Sequence, residues 1–381
     1  MKRVSGVYAV STVLGESVSA FVPHALPPVN PILDPCVFLE LNHQAELALA
    51  RLGGVAGLVP SVDWLLYSAI RKEALLTSQI EGTQATLVDL FNSEAGLIIT
   101  NQDDVEEVTN YLSAFRLVRA NLADPKGLPI SVRLLCMAHR ELLNGVRGSG
   151  KQPGQLRQSQ NWIGGTRPGN AVFVPPPAHQ VPELLAQLER FIHSAESELS
   201  PLIKIALIHA QFETIHPFLD GNGRIGRLLI SALFEHWHLL PEPLIYLSGY
   251  LKQHQTEYYR LLTGIRSEGD WESWVLFFLR GVLSAANEAE KNVIALANQI
   301  AIDRKKLLST TKVATVVYQL FELLPTMPRF TLELVRERLK TSFPTASAAV
   351  KVLQELGIVV ETTGQKKNRC FSYQTYIDLL S

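Results

Sequence analysis

The reactive chemistry of this 381-residue chain is concentrated in one run, His216-Pro217-Phe218-Leu219-Asp220-Gly221-Asn222-Gly223-Arg224-Ile225-Gly226-Arg227. His216 titrates near neutrality and can take a proton from a hydroxyl. Asp220 is a hard oxygen ligand suited to Mg²⁺ on phosphates. Gly221 and Gly223 flank Asn222 where a helix begins, so backbone N–H groups can turn inward around an anion that the helix N-terminus also favours. Arg224 and Arg227 are three residues apart and project from the first turn, where two cations oppose the helix dipole. A bound anion removes that conflict. Singly these features are weak, since a His-Pro is usually a turn and a Gly-Asn-Gly usually a loop. Phe218 and Ile225 suit core anchors in either case. Together a base, a metal ligand, an anion nest and two arginines point to phosphate chemistry.

The elements around this run must position it. Long apolar helices are expected over residues 201–215 and 224–238, with the reactive run as their break. Upstream, Glu40 begins helical periodicity that Gly53-Gly54 would end, and Ser61 caps a stronger helix that stops at Glu81-Gly82. Further helices are expected over 103–122, 131–144, 179–197, 252–266 and 270–308. Asn161 to Gly165 and Ala171 to Pro175 read as a hairpin around Gly165-Thr166-Arg167-Pro168-Gly169. Residues 1–35, with prolines at 23, 27, 28, 31 and 35, read as an irregular lead-in wrapping a later domain. After Leu308 come three short helices and a two-stranded ribbon, the pattern of a winged helix-turn-helix.

Every position of the reactive run resembles the Fic motif, HPFx[D/E]GNGRxxR. The resemblance spans roughly residues 30–285 and implies a mainly α fold: a Fic helical core with a β-hairpin flap, plus a C-terminal winged helix-turn-helix domain. The implied division is a Fic N-terminal region over 1–100 with an inhibitory helix near 61–82, a catalytic core over 101–285, a linker helix over 286–310 and the winged helix over 311–381. The implied activity is that of a nucleotidyltransferase, a protein adenylyltransferase that moves AMP from ATP to a Tyr, Thr or Ser hydroxyl of a target protein or of itself. His216 would be the general base and Asp220 the Mg²⁺ ligand. Gly221, Asn222 and Gly223 would form the anion hole within a nucleotide-binding set completed by Arg224, Ile225, Gly226, Arg227, Tyr258 and Tyr259. Arg224 would meet the β-phosphate side and Arg227 the γ-phosphate. Doc-like kinases depart from the motif where Gly223 and Arg224 stand here, which favours AMP transfer. Thr77-Ser78-Gln79-Ile80-Glu81-Gly82 resembles the inhibitory motif [S/T]xxxE[G/N], so Glu81 would pair with Arg227 and hold the enzyme off. The hairpin near 160–176 resembles the flap that holds a target by strand addition. Tyr258-Tyr259 resembles a nucleotide-lining pair, but Arg266 stands where the family often has asparagine, which leaves another nucleotide such as UTP open.

Composition bounds the rest. The chain is 47% hydrophobic and 19% charged with a formal net charge of -1, which fits a folded protein and gives no global attraction to nucleic acid or acidic membrane. Cys36, Cys136 and Cys370 are far apart, which argues against a disulfide framework or zinc site and suits a reducing compartment. The N-terminal apolar stretch is broken by Ser5, Ser11, Thr12, Glu16 and Ser17, and no run is long enough to span a membrane, so a cytoplasmic, membrane-free protein is expected. Residues 327–381 carry eight basic and five acidic side chains. Their wing turn, Gln365-Lys366-Lys367-Asn368-Arg369, is basic, and Thr345, Ser347 and Lys351 could face a groove. DNA binding through 311–381 therefore competes with a protein-contact role, which is favoured because the third helix is rich in alanine and valine. A homodimer, a DNA-binding regulator with a nucleotide-sensing core, and AMP removal at the same site are the remaining alternatives.

Overall fold

The computed structural model describes residues 3–194, 199–310, 313–365 and 367–380. It opens on a hairpin, β1 (Gly6–Val13) and β2 (Glu16–Pro23), paired antiparallel from Gly6↔Pro23 to Val13↔Glu16. This corrects the expectation of an irregular lead-in. All the prolines lie at 23 or beyond, and Leu14 (φ 51) and Gly15 (φ 81) supply the two left-handed positions of a tight turn between β-branched runs.

Helices dominate from there. α1 (Leu39–Val55) runs through Gly53-Gly54 instead of ending there, held by packing along the last long helix. α2 (Val62–Ile80) starts at Ser61, which accepts from Asp63 N, and stops where Gly82 takes φ 103. α3 (Leu87–Glu94) was not anticipated, although Thr86 and Asp89 form a capping box. α4 (Gln102–Ala123), α5 (Val132–Leu142) and α6 (Val181–His193) follow, and the end of the helix expected at 179–197 lies outside the described residues. α7 (Pro201–Ile215) is buried on all sides and forms the centre of the core, beside α8 (Asn222–His236). The helix expected at 252–266 is two, α9 (Leu247–Gln253) and α10 (Gln255–Glu268), broken at His254. α11 (Trp271–Ser309) is one continuous helix whose first half seats Trp274 in the core, its indole donating to Ala206 O at 2.8 Å.

The C-terminal module contains α12 (Thr315–Leu323), β3 (Arg329–Thr331), α13 (Leu332–Leu339), α14 (Phe343–Glu355), β4 (Val360–Glu361), β5 (Cys370–Ser372) and α15 (Gln374–Leu380). The sheet has three strands in the order β3-β5-β4, where two were expected, because Arg329–Thr331 also pairs with β5. This module packs directly on α2. Tyr376 OH donates to Trp64 O at 3.2 Å, and Leu380 lies beside Leu65 and Ala69. No helix among the described residues is long and apolar enough to cross a membrane.

Candidate active site

The reactive run is a tight loop between two buried helices. α7 stops because His216 precedes Pro217, which disfavours helical backbone, and His216 takes φ 48, ψ 63. The loop is then tied from three sides. Arg157, 2% exposed, donates to His216 O at 2.8 Å and to Pro176 O at the base of the flap at 2.6 Å. Burial pushes its pKa down to about 10. The Asn222 side chain accepts from Phe218 N at 2.8 Å and donates to Phe218 O at 2.9 Å. His139 accepts at Nδ1 from Gly154 N at 2.8 Å, so its Nε2 donates to Asp220 O at 3.0 Å, while its ring stacks on Phe218. Gly221 enters α8 at φ 74, a conformation that glycine adopts without strain.

The side chains converge on the mouth of this loop. His216 Nδ1 is buried without a hydrogen-bond partner. Nε2 is the other ring nitrogen and the one left to accept a proton. Burial lowers the His216 pKa to about 3, with Arg157 and Arg266 adding to the effect, so the ring is neutral near pH 7. Asp220 is 40% exposed, and its Oδ1 accepts from Gly221 N at 2.6 Å. Arg224 is 3% exposed and held by Glu107 at 3.1 Å, with Arg147 on the other carboxylate oxygen at 3.3 Å. Arg227 donates to Thr77 Oγ1 at 2.6 Å, Thr77 O at 3.1 Å and Glu81 Oε1 at 2.5 Å. Burial raises the Glu81 pKa, but Arg227, with smaller help from Arg224 and His216, outweighs it, and the carboxyl lies below its ordinary value.

Glu81 does more than neutralise an arginine. A Cβ placed on Gly223 would stand 2.4 Å from Glu81 Oε1. The carboxylate thus lies directly over the first turn of α8, on the spot that the glycines leave open for an anion. The inhibitory-motif residues Thr77 and Glu81 and the motif arginine Arg227 are brought together, as the resemblance implied.

Other assignments need correcting. Gly226 faces α7, where a Cβ would meet Glu213 Oε1 at 2.4 Å, and Ile225 is fully buried, so neither side lines the cleft. Asn222 spends its side chain on loop closure and can offer an anion only its backbone. Tyr258 is 1% exposed with its hydroxyl 2.9 Å from His209 Nε2, whereas Tyr259 is 46% exposed. Of the pair, only Tyr259 opens outward. Arg266 lies 3.7 Å from the Phe173 ring on the flap and donates to Thr214 Oγ1 at 3.3 Å. The flap itself is a single bridge, Ile163↔Phe173, around a 3-10 turn at Pro168–Asn170. β2 braces it, with Phe21 N donating to Val174 O at 2.9 Å and Arg167 pairing with Glu16 at 2.8 Å.

Arg157, His139 and Glu107 were missed from sequence. Glu107 carried a signal, since it falls on the face of α4 that also buries Tyr111, Ala114 and Val118. Among the described residues no group of three or more His, Cys, Asp or Glu could enclose a metal, and the described cysteines are free, Cys36 exposed and Cys370 buried. Asp220 alone still fits Mg²⁺, which takes one or two carboxylates and completes its shell with water and phosphate oxygens. Its Oδ2 accepts no hydrogen bond among the described residues.

An open carboxylate, a neutral histidine and a glycine-lined helix N-terminus flanked by buried arginines are groups suited to binding a phosphate. Residues 129–234 match the Fic/DOC family and residues 39–119 match the Fic/DOC family N-terminal region. The chain thus carries two regions that match Fic/DOC family models, side by side. It is similar to the protein adenylyltransferase Fic of Drosophila yakuba, 28% identical over 202 residues, covering 52% of this chain and 37% of that protein. The corresponding protein of Drosophila grimshawi is 30% identical over 176 residues, covering 46% of this chain and 33% of that protein. The chain thus spans only about a third of the length of these relatives. Its fold resembles that of a Fic family protein from Desulfovibrio desulfuricans G20, with a TM-score of 0.56, 20% identity and coverage of 89% of this chain and 96% of the other. A Fic-1 fragment from C. elegans has a TM-score of 0.53 at 20% identity, covering 68% of this chain and 72% of the other.

Proposed function

We propose that this chain is a protein adenylyltransferase that transfers AMP from ATP to a protein hydroxyl and is held off by its own Glu81. The observation that carries the reading is the Glu81 carboxylate lying over Gly223 and paired with Arg227 at 2.5 Å. The site already holds an anion, and that anion belongs to the protein.

In the active state Glu81 leaves, and the triphosphate takes its place against the N-terminus of α8. Arg227 then faces the γ-phosphate and Arg224, oriented by Glu107, the β-phosphate. His216 Nε2 accepts the proton of the target hydroxyl as its oxygen attacks the α-phosphorus. The bond to the bridging oxygen breaks and pyrophosphate leaves. Nearby phosphates favour the imidazolium, so substrate binding raises the basicity that burial suppresses. Asp220 would hold Mg²⁺, which neutralises charge on the phosphates when bound. Positioning and fixed charge supply most of the acceleration. The flap, braced by β2, offers its main chain to an extended target segment.

The test is a nucleotide panel. Glu81→Gly protein is incubated with Mg²⁺ and ATP, UTP, GTP or CTP, each labelled on the α-phosphate, beside a Glu81→Gly/His216→Ala control. Label from ATP that requires His216 supports the reading. Label from UTP alone keeps the mechanism and replaces the substrate. Label from none removes the transferase reading.

A further inference from the structure

A cleft of about 1280 Å³ separates the turn after α3 from the C-terminal module. One wall is residues 92–98. The other is built from β3, α13, Phe343 at the start of α14 and the turn between β4 and β5. It is roomier than the roughly 300–1,000 Å³ of a small-molecule pocket.

Two features of its lining are uncompensated. Ile98 is 100% exposed and Phe343 is 51% exposed, so large apolar groups meet water on both walls. Arg329, Lys367 and Arg369 also line the cleft, and among the described residues none has an ion-pair partner. Arg329 Nε is buried with no hydrogen-bond partner at all. Three carboxylates share the lining, but two are already engaged. Glu94 is held by Arg71 at 2.6 Å and by the Tyr67 hydroxyl, and Glu333 pairs with Arg336. Lys366, the remaining basic residue of the expected wing turn, lies outside the described residues.

We propose that this cleft docks an extended acidic segment of a partner protein, with carboxylates on Arg329, Lys367 and Arg369 and an apolar side chain between Ile98 and Phe343. The charge left unmet is positive, and the depth between two walls suits a chain in extended form. A DNA duplex fits less well. Gln365, Lys367, Asn368 and Arg369 share the cleft with residues 92–98, so a phosphate backbone entering it would also meet Glu337, Glu94 and Glu333. On the outer surface, Lys351 of α14 is drawn toward Glu355 at 3.7 Å. The position matters for control, because Glu94 is the residue through which the 92–98 wall grips Arg71 and Tyr67 of α2, the helix that carries Glu81.

The test is fluorescence anisotropy on full-length wild type with a labelled peptide of eight glutamates around a central leucine. An otherwise identical lysine peptide and a labelled DNA duplex are run beside it. Variants are Lys367→Glu/Arg369→Glu and, separately, Ile98→Ser, each checked for an unchanged melting transition. Both residue sets are exposed or half-exposed, so neither variant depends on repacking a core. The proposal predicts binding of the acidic peptide, weakened about tenfold or more by the charge reversal and measurably by Ile98→Ser. Absence of acidic-peptide binding to wild type overturns it, as does binding that the charge reversal leaves intact. DNA binding that the charge reversal abolishes, without peptide binding, reassigns the surface to nucleic acid.

Discussion

Replacing Glu81 with glycine isolates the contact proposed to be inhibitory. Arg227 is 2% exposed, and Glu81 supplies its only carboxylate within ion-pair distance among the described residues, at 2.5 Å. Truncating one partner of a buried charged hydrogen bond costs about 2–5 kcal/mol. Glu81 is 33% exposed, which places this pair at the lower end. A γ-phosphate must supplant that contact in wild type and need not in the variant. Taking about 2–3 kcal/mol, the labelling rate at sub-saturating ATP rises ~30- to 140-fold at 1.4 kcal/mol per decade. Glu81→Gln keeps the shape, removes the charge and falls between the two. Folding survives, because Arg227 keeps Thr77 Oγ1 at 2.6 Å and Thr77 O at 3.1 Å, and position 81 has φ −88, ψ 2, which glycine accepts. Initial rates of label transfer from α-labelled ATP, with melting curves on the same samples, measure both. Equal rates for wild type and a folded Glu81→Gly variant would refute the reasoning.

Three further outcomes follow from the geometry. Burial raises the Glu213 pKa from 4.5 to about 7, so the folded state keeps this proton longer than the unfolded chain and stability falls as pH rises from about 4.5 through 7. Glu213→Gln should therefore melt higher than wild type at pH 8, by about 1–3 kcal/mol, and show little gain at pH 4.5; an identical difference at both pH values argues against a buried proton. Asp220→Ala in a Glu81→Gly background should raise the Mg²⁺ concentration needed for half-maximal labelling by about tenfold or more while leaving the melting transition near its parent value, read by Mg²⁺ titration. Arg157→Met removes donors to both His216 O at 2.8 Å and Pro176 O at 2.6 Å, and should cost about 2–4 kcal/mol in stability along with the labelling activity, since it frees the catalytic loop and the flap together.

What was legible in sequence was what is contiguous. His216 to Arg227 carries the proposed base, metal ligand, nest and arginines within one loop and one helix turn, and Ser61 and Gly82 bracket α2 by local capping chemistry. The residues that support them act across the chain. Arg157 reaches His216 from 59 positions away and Glu107 reaches Arg224 from 117, distances over which spacing gives no guide. The inward packing of Tyr258 and Gly226 was hidden for a related reason. A helix presents every third or fourth residue to one neighbour, and the neighbour here is α7 with His209 and Glu213, which only the packing identifies. The N-terminal hairpin was hidden differently. Its turn, Leu14-Gly15, lacks the usual Asn-Gly pair, and the proline cluster at 23–35 follows directly on its alternation.

In the proposed reaction AMP, and not a terminal phosphate, is moved onto protein with His216 as the base. The most direct measurement incubates Glu81→Gly protein with Mg²⁺ and ATP labelled either on the α-phosphate or on the γ-phosphate, then weighs the intact protein by mass spectrometry. Label retained from the α-position only, with a mass gain of one AMP that Glu81→Gly/His216→Ala lacks, is the predicted result. Label retained from the γ-position, or a mass gain of a single phosphate, would contradict it.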